Sequence, residues 1–402
     1  MNHRNIRKSV LSIALGVCLA SMAPTQSAHA ANSDGSMLGT AAPGAVVTVR
    51  NEETGFTRTV TADDEGNYRF PFLPVGEYRV EAHRDGTLVG TPVDARVSLG
   101  NTTKVDLGSG AASLERIEVV GDAIAAVVDV TSTESATNVT REEYSRLPVD
   151  RTLTDVALLA PGLNRGDNDL GGISFGGSSV AENAVYVNGL NVTDFYNRIG
   201  FNSTPFAFYE EVQVKTGGYS VEFGRTTGGV INAVTRSGTN EFHAGAELVW
   251  EPNQWQSEAE DRFFNGDRYY VARFDDYDRT SLNVYGSGPI IEDRLHFFAM
   301  YEFRDFQPNN TSTAGTTYFQ GDSDDGFYGA KVDWSITDRH LLSFLAFSDE
   351  TETVRDVFVF NPTTGERGAQ TNTQFVQSGG DNWSATYTGY LTDSLSVKAM
   401  YG

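Results

Sequence analysis

The sequence is poor in the groups that carry most catalytic chemistry. It holds one cysteine in 402 residues, Cys18. That residue falls in an N-terminal targeting segment, so the mature chain can form neither a disulfide nor a thiolate metal site. Cations are also scarce: 30 Lys and Arg against 53 Asp and Glu give a formal charge of −23. Nucleic acid needs clustered cations facing phosphate, so that partner is excluded. The histidines are His3, His29, His83, His243, His296 and His340, and none has a metal partner at usable spacing. There is no Gly-Lys-Ser/Thr phosphate loop and no nucleophile elbow. Nothing favours an enzyme, a cofactor or a metal. Beyond the first thirty residues no run is long and apolar enough for a membrane helix. If this chain crosses a membrane, it must do so as a β-barrel.

What is abundant is glycine, at 41 residues, and aromatics, at 11%, a composition that suits turn-rich β-structure. Residues 1–30 form a secretory signal peptide of bacterial type. Arg4, Arg7 and Lys8 are its basic start, 10–20 its apolar stretch, and Ala28-His29-Ala30 its cleavage site. The apolar stretch is too short to span a bilayer. Bulky Val17 before Cys18 argues against a lipid-attached cysteine.

Residues 32–110 read as a small β-sandwich. Strands are expected at 45–50, 56–61 and 78–83, with turns at 51–55, 63–67 and 73–78. Asp63, Asp64 and Glu65 lack the ligand spacing of a calcium loop and read as a solvated hairpin tip. The pattern Gly66-x-Tyr68-x-Phe70, then Leu73-Pro74-x-Gly76-x-Tyr78-x-Val80, resembles the carboxypeptidase regulatory-like domain, a prealbumin-like sandwich also classed as a carbohydrate-binding-like fold. Its usual first strand is shortened here to about 36–40, which leaves edge pairing there open.

The stretch 218–243 organises the rest. Glu222-Phe223-Gly224-Arg225, Gly228-Gly229-Val230-Ile231-Asn232 and Thr235-Arg236-Ser237-Gly238-Thr239-Asn240 follow in order. The glycines mark tight turns or close backbone approach. This run resembles the end of the plug and the entry to the barrel in TonB-dependent outer-membrane receptors. The Leu159-x-Pro161-Gly162 segment and residues 182–194 resemble the same plug. The resemblance implies an α+β plug domain over 122–237. Within it, Thr140-x-x-Glu143 is a capping box for a short helix. Asp150 is expected to cap a second helix, 151–159, with Leu153, Val156, Ala157 and Leu159 or Ala160 on its apolar side. Strands are expected at 184–187, 212–215 and 230–234, with a turn at Asn188-Gly189.

Residues 114–121, Leu-Glu-Arg-Ile-Glu-Val-Val-Gly, follow a Gly/Ala/Ser linker. By themselves they are either an ordinary linker strand or a detachable one that a partner adds to its sheet edge. They resemble the TonB box, and their place before the plug fits. The resemblance implies that Glu115, Ile117, Glu118, Val119 and Val120 bind the TonB periplasmic domain, itself driven by an inner-membrane energising complex. Two polar plug loops, 164–172 and 194–205, are either ligand-touching apices or ordinary loops against the wall. The candidate ligand residues are Asn164, Arg165, Asp167, Tyr196, Arg198 and Phe201.

From Phe242 the period becomes two. Strands are expected at 242–250, 280–287, 295–304, 327–336, 341–348, 383–391 and 395–401. Long polar connections (251–279, 305–326, 349–380) alternate with short ones (288–294, 337–340, 392–394), the sorting of an outer-membrane barrel. The first long connection follows the first strand, which puts the plug on the short-turn, periplasmic side.

The expected fold is therefore mixed: an N-terminal prealbumin-like β-sandwich, an α+β plug, then the first strands of an incomplete antiparallel transmembrane β-barrel over 241–402. Seven strands leave unpaired edges in lipid, and plugged transporters use about 22. The sequence is thus expected to be a truncated or fragmentary chain. Residues 241–402 should not close a barrel alone, and 32–110 should fold independently. The expected function is a receptor of the outer membrane of a Gram-negative cell. Facing membrane lipid and an extracellular ligand, it would import a bulky nutrient, oligosaccharide or peptide. The alternatives are a passive channel and a surface-binding, adhesive β-protein.

Overall fold

The computed structural model describes residues 32–108, 134–147, 152–166, 172–194, 204–224 and 226–402. The signal segment, Asp150 and residues 114–121 lie outside them.

The N-terminal unit is a two-sheet sandwich. Its strands are β1 (Gly35–Thr40), β2 (Val46–Asn51), β3 (Thr57–Thr61) and β4 (Asn67–Leu73). β5 (Gly76–Arg84), β6 (Thr87–Leu88), β7 (Val93–Val97) and β8 (Thr102–Lys104) follow. One sheet runs β4-β1-β8; the other runs β3-β2-β5-β6, with β7 also on β5. Alternate residues of both, among them Met37, Val47, Val49, Phe70, Tyr78 and Val80, meet in a shared core. The short first strand is not an edge. It lies between antiparallel β4 and parallel β8, with Ser36 opposite Thr102. A parallel partner arrives by a long crossover and leaves no turn signature to read. The approach is close: a Cβ at Gly39 would lie 1.6 Å from the Val105 carbonyl oxygen. At the 63–67 turn, the Asp63 carboxylate caps the backbone amides of Glu65 and Asn67 at 3.1 and 2.6 Å.

The next unit is α+β. Its strands are β9 (Ser135–Thr140), β10 (Leu163–Arg165), β11 (Ile173–Phe175), β12 (Ala184–Val187), β13 (Leu190–Asn191), β14 (Tyr209–Gly217) and β15 (Val230–Thr235). Five of them form a sheet in the order β13-β12-β15-β14-β9. Helix α1 (Arg141–Ser145) carries the expected capping box of Thr140 and Glu143. Helix α2 (Leu153–Ala157) is capped by Thr152, not by Asp150. Its apolar side is Leu153, Val156 and Ala157, joined by Ala160, while Leu159 is exposed. Asn188 and Gly189 both have positive φ, 48° and 85°, as a two-residue hairpin demands. At Gly228 and Gly229 the need is room, not a left-handed turn. A Cβ at Gly229 would lie 1.9 Å from the Phe175 ring, and one at Gly228 2.3 Å from the Asn183 side-chain oxygen.

The third unit is a curved wall. It opens with β16 (His243–Glu251), then a separate hairpin of β17 (Arg262–Phe264) and β18 (Asp267–Tyr270). The long strands β19 (Asp276–Ile291) and β20 (Leu295–Thr311) come next, followed by β21 (Thr317–Asp322), β22 (Phe327–Thr337) and β23 (His340–Ser348). β24 (Thr351–Asn361), β25 (Glu366–Ser378), β26 (Asp381–Tyr390) and β27 (Ser396–Tyr401) complete it. The sheet has ten strands and stays open, with β16 and β27 paired on one side only among the described residues.

Two of the connections expected to be polar loops are therefore largely strand. The 305–326 connection holds the top of β20 and β21, and 349–380 holds the β24–β25 hairpin. β25 is exposed along nearly its whole length, so neither of its faces carries the apolar alternation that marks a half-buried strand.

The upper strands stack end to end on the lower ones. β21 leads to β22 across residues 323–326, β23 to β24 across Asp349 and Glu350, and β25 to β26 across Gly379 and Gly380. The three breaks lie side by side, because Tyr328 pairs with Ser348, and Ser348 with Asp381. Side chains supplement a thinned backbone pairing there. The Asp325 carboxylate accepts from the Glu352 amide, and that of Asp349 from the Gly380 amide at 3.1 Å. β19 and β20 run through unbroken.

Outward and inward positions alternate as read. On β20, Ala299, Tyr301 and Phe303 face out, while His296, Phe298, Met300 and Glu302 are buried. Spin labels along 295–304 should show accessibility to an apolar quencher with period two; a period near 3.6 would contradict the strand. An Ala299→Arg substitution, about four residues above the short turn, should cost roughly 2–4 kcal/mol of insertion stability.

Candidate functional site

The plug unit fills the concave face of the wall. Its foothold is the 3-10 turn Phe206–Phe208, which directly precedes β14. The Phe208 ring lies 5.1 Å from Phe327, 5.7 Å from Phe347 and 6.3 Å from Phe298, three inward residues of the wall. A Cβ at Gly329 would lie 2.4 Å from that ring, so glycine makes the socket. Plug and wall share one apolar core, in which Val156, Val212, Val214 and Ile231 meet Met300 and Leu345. Beside it the Arg236 guanidinium stacks over Tyr285 at 4.1 Å and Phe298 at 4.8 Å. Burial lowers the pKa of Arg236, yet arginine stays charged.

Above this contact, between α1, the 204–207 segment and the inner wall, lies a cleft of about 610 Å³. Its lining mixes both signs of charge with hydroxyls. Arg141 and Arg236 come from the plug; Glu247, Glu251, Arg279, Glu302 and Arg304 come from the wall. The wall charges are arranged in pairs: Arg304 with Glu302 at 2.5 Å and Arg279 with Glu251 at 3.5 Å. Asn283 is buried among them, and its side-chain oxygen has no hydrogen-bond partner among the described residues. Ser323, Thr351 and Ser378, at or beside the breaks in the upper strands, close the top. Such a surface offers hydrogen-bond donors and acceptors in quantity.

Of the residues predicted to touch ligand, Asn164 and Arg165 are exposed on β10 and do not line this cleft. Arg165 pairs with Asp155 instead. Asp167, Tyr196, Arg198 and Phe201 lie outside the described residues. So do Glu115, Ile117, Glu118, Val119 and Val120. The cleft residues that sequence reasoning missed come mostly from strands. Glu302, Arg304, Ser281 and Asn283 fall within the strands expected at 295–304 and 280–287, whereas Arg279 lies on the part of β19 above the expected strand.

A family model of the carboxypeptidase regulatory-like domain matches residues 34–108, and one of the TonB-dependent receptor plug domain matches 128–230. The chain is 34% identical over 288 residues to the TonB-dependent transporter Oar of Myxococcus xanthus. That match takes in 67% of this chain and spans 26% of the relative's length. Among solved structures, the siderophore receptor PirA from Acinetobacter baumannii aligns at 18% identity and a TM-score of 0.44, over 66% of this chain and 39% of that one. The outer membrane transporter YddB from Escherichia coli aligns at 18% identity and a TM-score of 0.45, over 63% and 36%.

If the Phe208 contact seats the plug, Phe208→Ala should cost about 3–5 kcal/mol locally. Amide exchange at 209–214 should then speed up while exchange in the sandwich stays unchanged. Unchanged exchange at 209–214 would show that the plug is seated elsewhere.

Proposed function

We propose, from a chain that joins a carboxypeptidase regulatory-like sandwich to a TonB-dependent receptor plug and wall strands of its barrel, that it serves energised import across the outer membrane. The observation that carries this is the apolar core shared by plug and wall. A passage blocked by a plug seated on Phe208 does not open by diffusion of the cargo; work must be done on the plug. That requirement argues against the passive channel.

In this reading the chain divides into a signal peptide (1–30), the sandwich (32–110), a TonB box (114–121), the plug (122–237) and wall strands (241–402). Sandwich and plug sit on the periplasmic side. The TonB periplasmic domain takes residues 115–121 as an added strand. Cargo enters from outside and meets the cleft above the plug. The mixed charges and hydroxyls of that cleft suit a bulky cargo rich in both hydrogen-bond donors and acceptors, an oligosaccharide or a peptide. Asn164, Arg165, Asp167, Tyr196, Arg198 and Phe201 stand as further candidates for cargo contact.

Two measurements test this. Uptake of fluorescent oligosaccharides and peptides should require an energised inner membrane; uptake that survives an uncoupler would favour the channel. Val119→Pro removes a backbone donor and fixes φ, so strand addition should fail. Uptake should be abolished while cargo binding persists. Undiminished energised uptake by that variant would remove residues 114–121 from the mechanism.

A further inference from the structure

The sandwich holds the plug sheet at its middle strands. On β14, Gln213 Nε2 donates to the Leu99 carbonyl at 2.7 Å, and Glu211 accepts from the Leu99 amide at 3.1 Å. On β15, the Asn232 side chain donates to the Asn32 carbonyl at 2.7 Å. Leu99, Glu211, Gln213 and Asn232 are all buried. The turn that presents Leu99 needs glycine at its tip: Gly100 has φ +68°, and a Cβ there would lie 2.5 Å from the Gln213 oxygen. Burial pushes the Glu211 carboxyl up, against the hydrogen bond from Asn138.

The same sandwich is fixed to the rim of the wall. Lys398 Nζ meets Asp34 at 2.6 Å. The Tyr390 ring lies 3.7 Å from the Arg58 guanidinium, and its hydroxyl donates to the Phe72 carbonyl. The Asn240 amide donates to the Glu53 carbonyl at 2.7 Å.

Strand β9 differs from β14 and β15. Among the described residues it is an edge strand, paired only with β14, and it follows the segment that carries residues 114–121. Its Asn138 donates to the Leu99 carbonyl at 2.9 Å and to Glu211 at 2.5 Å. Both acceptors have a second donor on the far side, so removing β9 leaves Leu99 still bonded through both its amide and its carbonyl.

We propose that the sandwich is a brace: it ties β14 and β15 to the rim of the wall, so that load applied through residues 109–133 strips β9 and leaves the rest of the plug sheet standing. This rests on residues 114–121 being the segment that is pulled. Load on them first meets, among the described residues, Glu134, paired with Lys215 of β14, and then Ser135, the start of β9. Once β9 is gone, load passes along the chain to α1 and then α2, both of which pack on β14, and β14 is the strand that the sandwich grips with two side chains.

The test applies force directly, so it does not depend on TonB binding. In the full chain, one handle is attached at Val119→Cys and the other at a C-terminal tag, and extension is followed in an optical trap. The native chain should give a first step of roughly 25–30 Å, the length of about eight extended residues, and then hold to higher force. With Glu211→Ala and Gln213→Ala together, the stop should vanish. The first step should then run to roughly 300 Å or more, releasing about 100 residues. Gly100→Ala, which breaks the contact from the sandwich side, should act the same way and guards against a misfolded plug. Glu211→Gln keeps the acceptor and should stop as the native chain does. A native chain that releases the whole plug in one step, or a Gly100→Ala chain that still stops after β9, overturns the brace. Failure of Val119→Pro to affect uptake would instead count against the TonB box and leave the brace intact.

Discussion

One aromatic contact sets the height of everything else: Phe208 of the plug among Phe298, Phe327 and Phe347 of the wall. Along β20 the inward positions run His296, Phe298, Met300, Glu302. The middle two are apolar and the outer two polar. A lumen that must hold water favours polar inward side chains, and only where the plug presses does an apolar one gain by burial. Below the contact, Lys331 of the wall donates to Ser237 of the plug at 2.8 Å. Above it lies the charged cleft. The plug is thus seated on an apolar ring with a polar surface on either side.

How much of this could be read from the chain depended on where water stands. Strands with lipid on one face and plug on the other gave clean alternation, as at 295–304 and 327–336. β21, β24 and β25 rise above the plug, where side chains such as Thr371, Asn372 and Gln374 are exposed on both faces of the strand. Period-two hydrophobicity then vanishes while backbone pairing persists. The same blindness hid part of the site, because Arg279 sits in the polar upper end of β19, above the strand expected at 280–287. Capping was legible at Thr140, where Glu143 completes a reciprocal pair. It slipped by two residues at the second helix, where both Asp150 and Thr152 are competent caps and nothing local ranks them. The contact of the sandwich with the plug left no local signal. It joins residues more than a hundred positions apart, 99 with 211 and 213.

The sandwich also shows how a small domain can be held without a large apolar face. Its grip on the plug goes through backbone groups: Leu99, whose amide and carbonyl both find side-chain partners, and the Asn32 carbonyl, which accepts from Asn232. Buried polar groups of this kind add specificity of position because any misplacement leaves a donor or acceptor unmet. Its grip on the rim is of another kind, a guanidinium over a tyrosine ring and an ammonium on a carboxylate.

The aligned breaks in the upper wall amount to a crease. Between β21 and β22, β23 and β24, and β25 and β26, the ladder thins at one height to the Phe306–Ser323 bridge and the Asp349 amide on the Gly380 carbonyl, and Asp325 and Asp349 add side-chain acceptors. A ladder of backbone bonds resists bending because every pair must shift together; a carboxylate can swivel and keep its partner. The crease ends at β20, which passes through it whole. A bend there would hinge the upper sheet like a door on β20, against the ties of Arg273 to the Pro362 carbonyl and of Phe274 to Phe360. Because Ser323, Thr351 and Ser378 lie at this crease and also roof the cleft, any swing of the door changes the headroom over whatever lies on the plug.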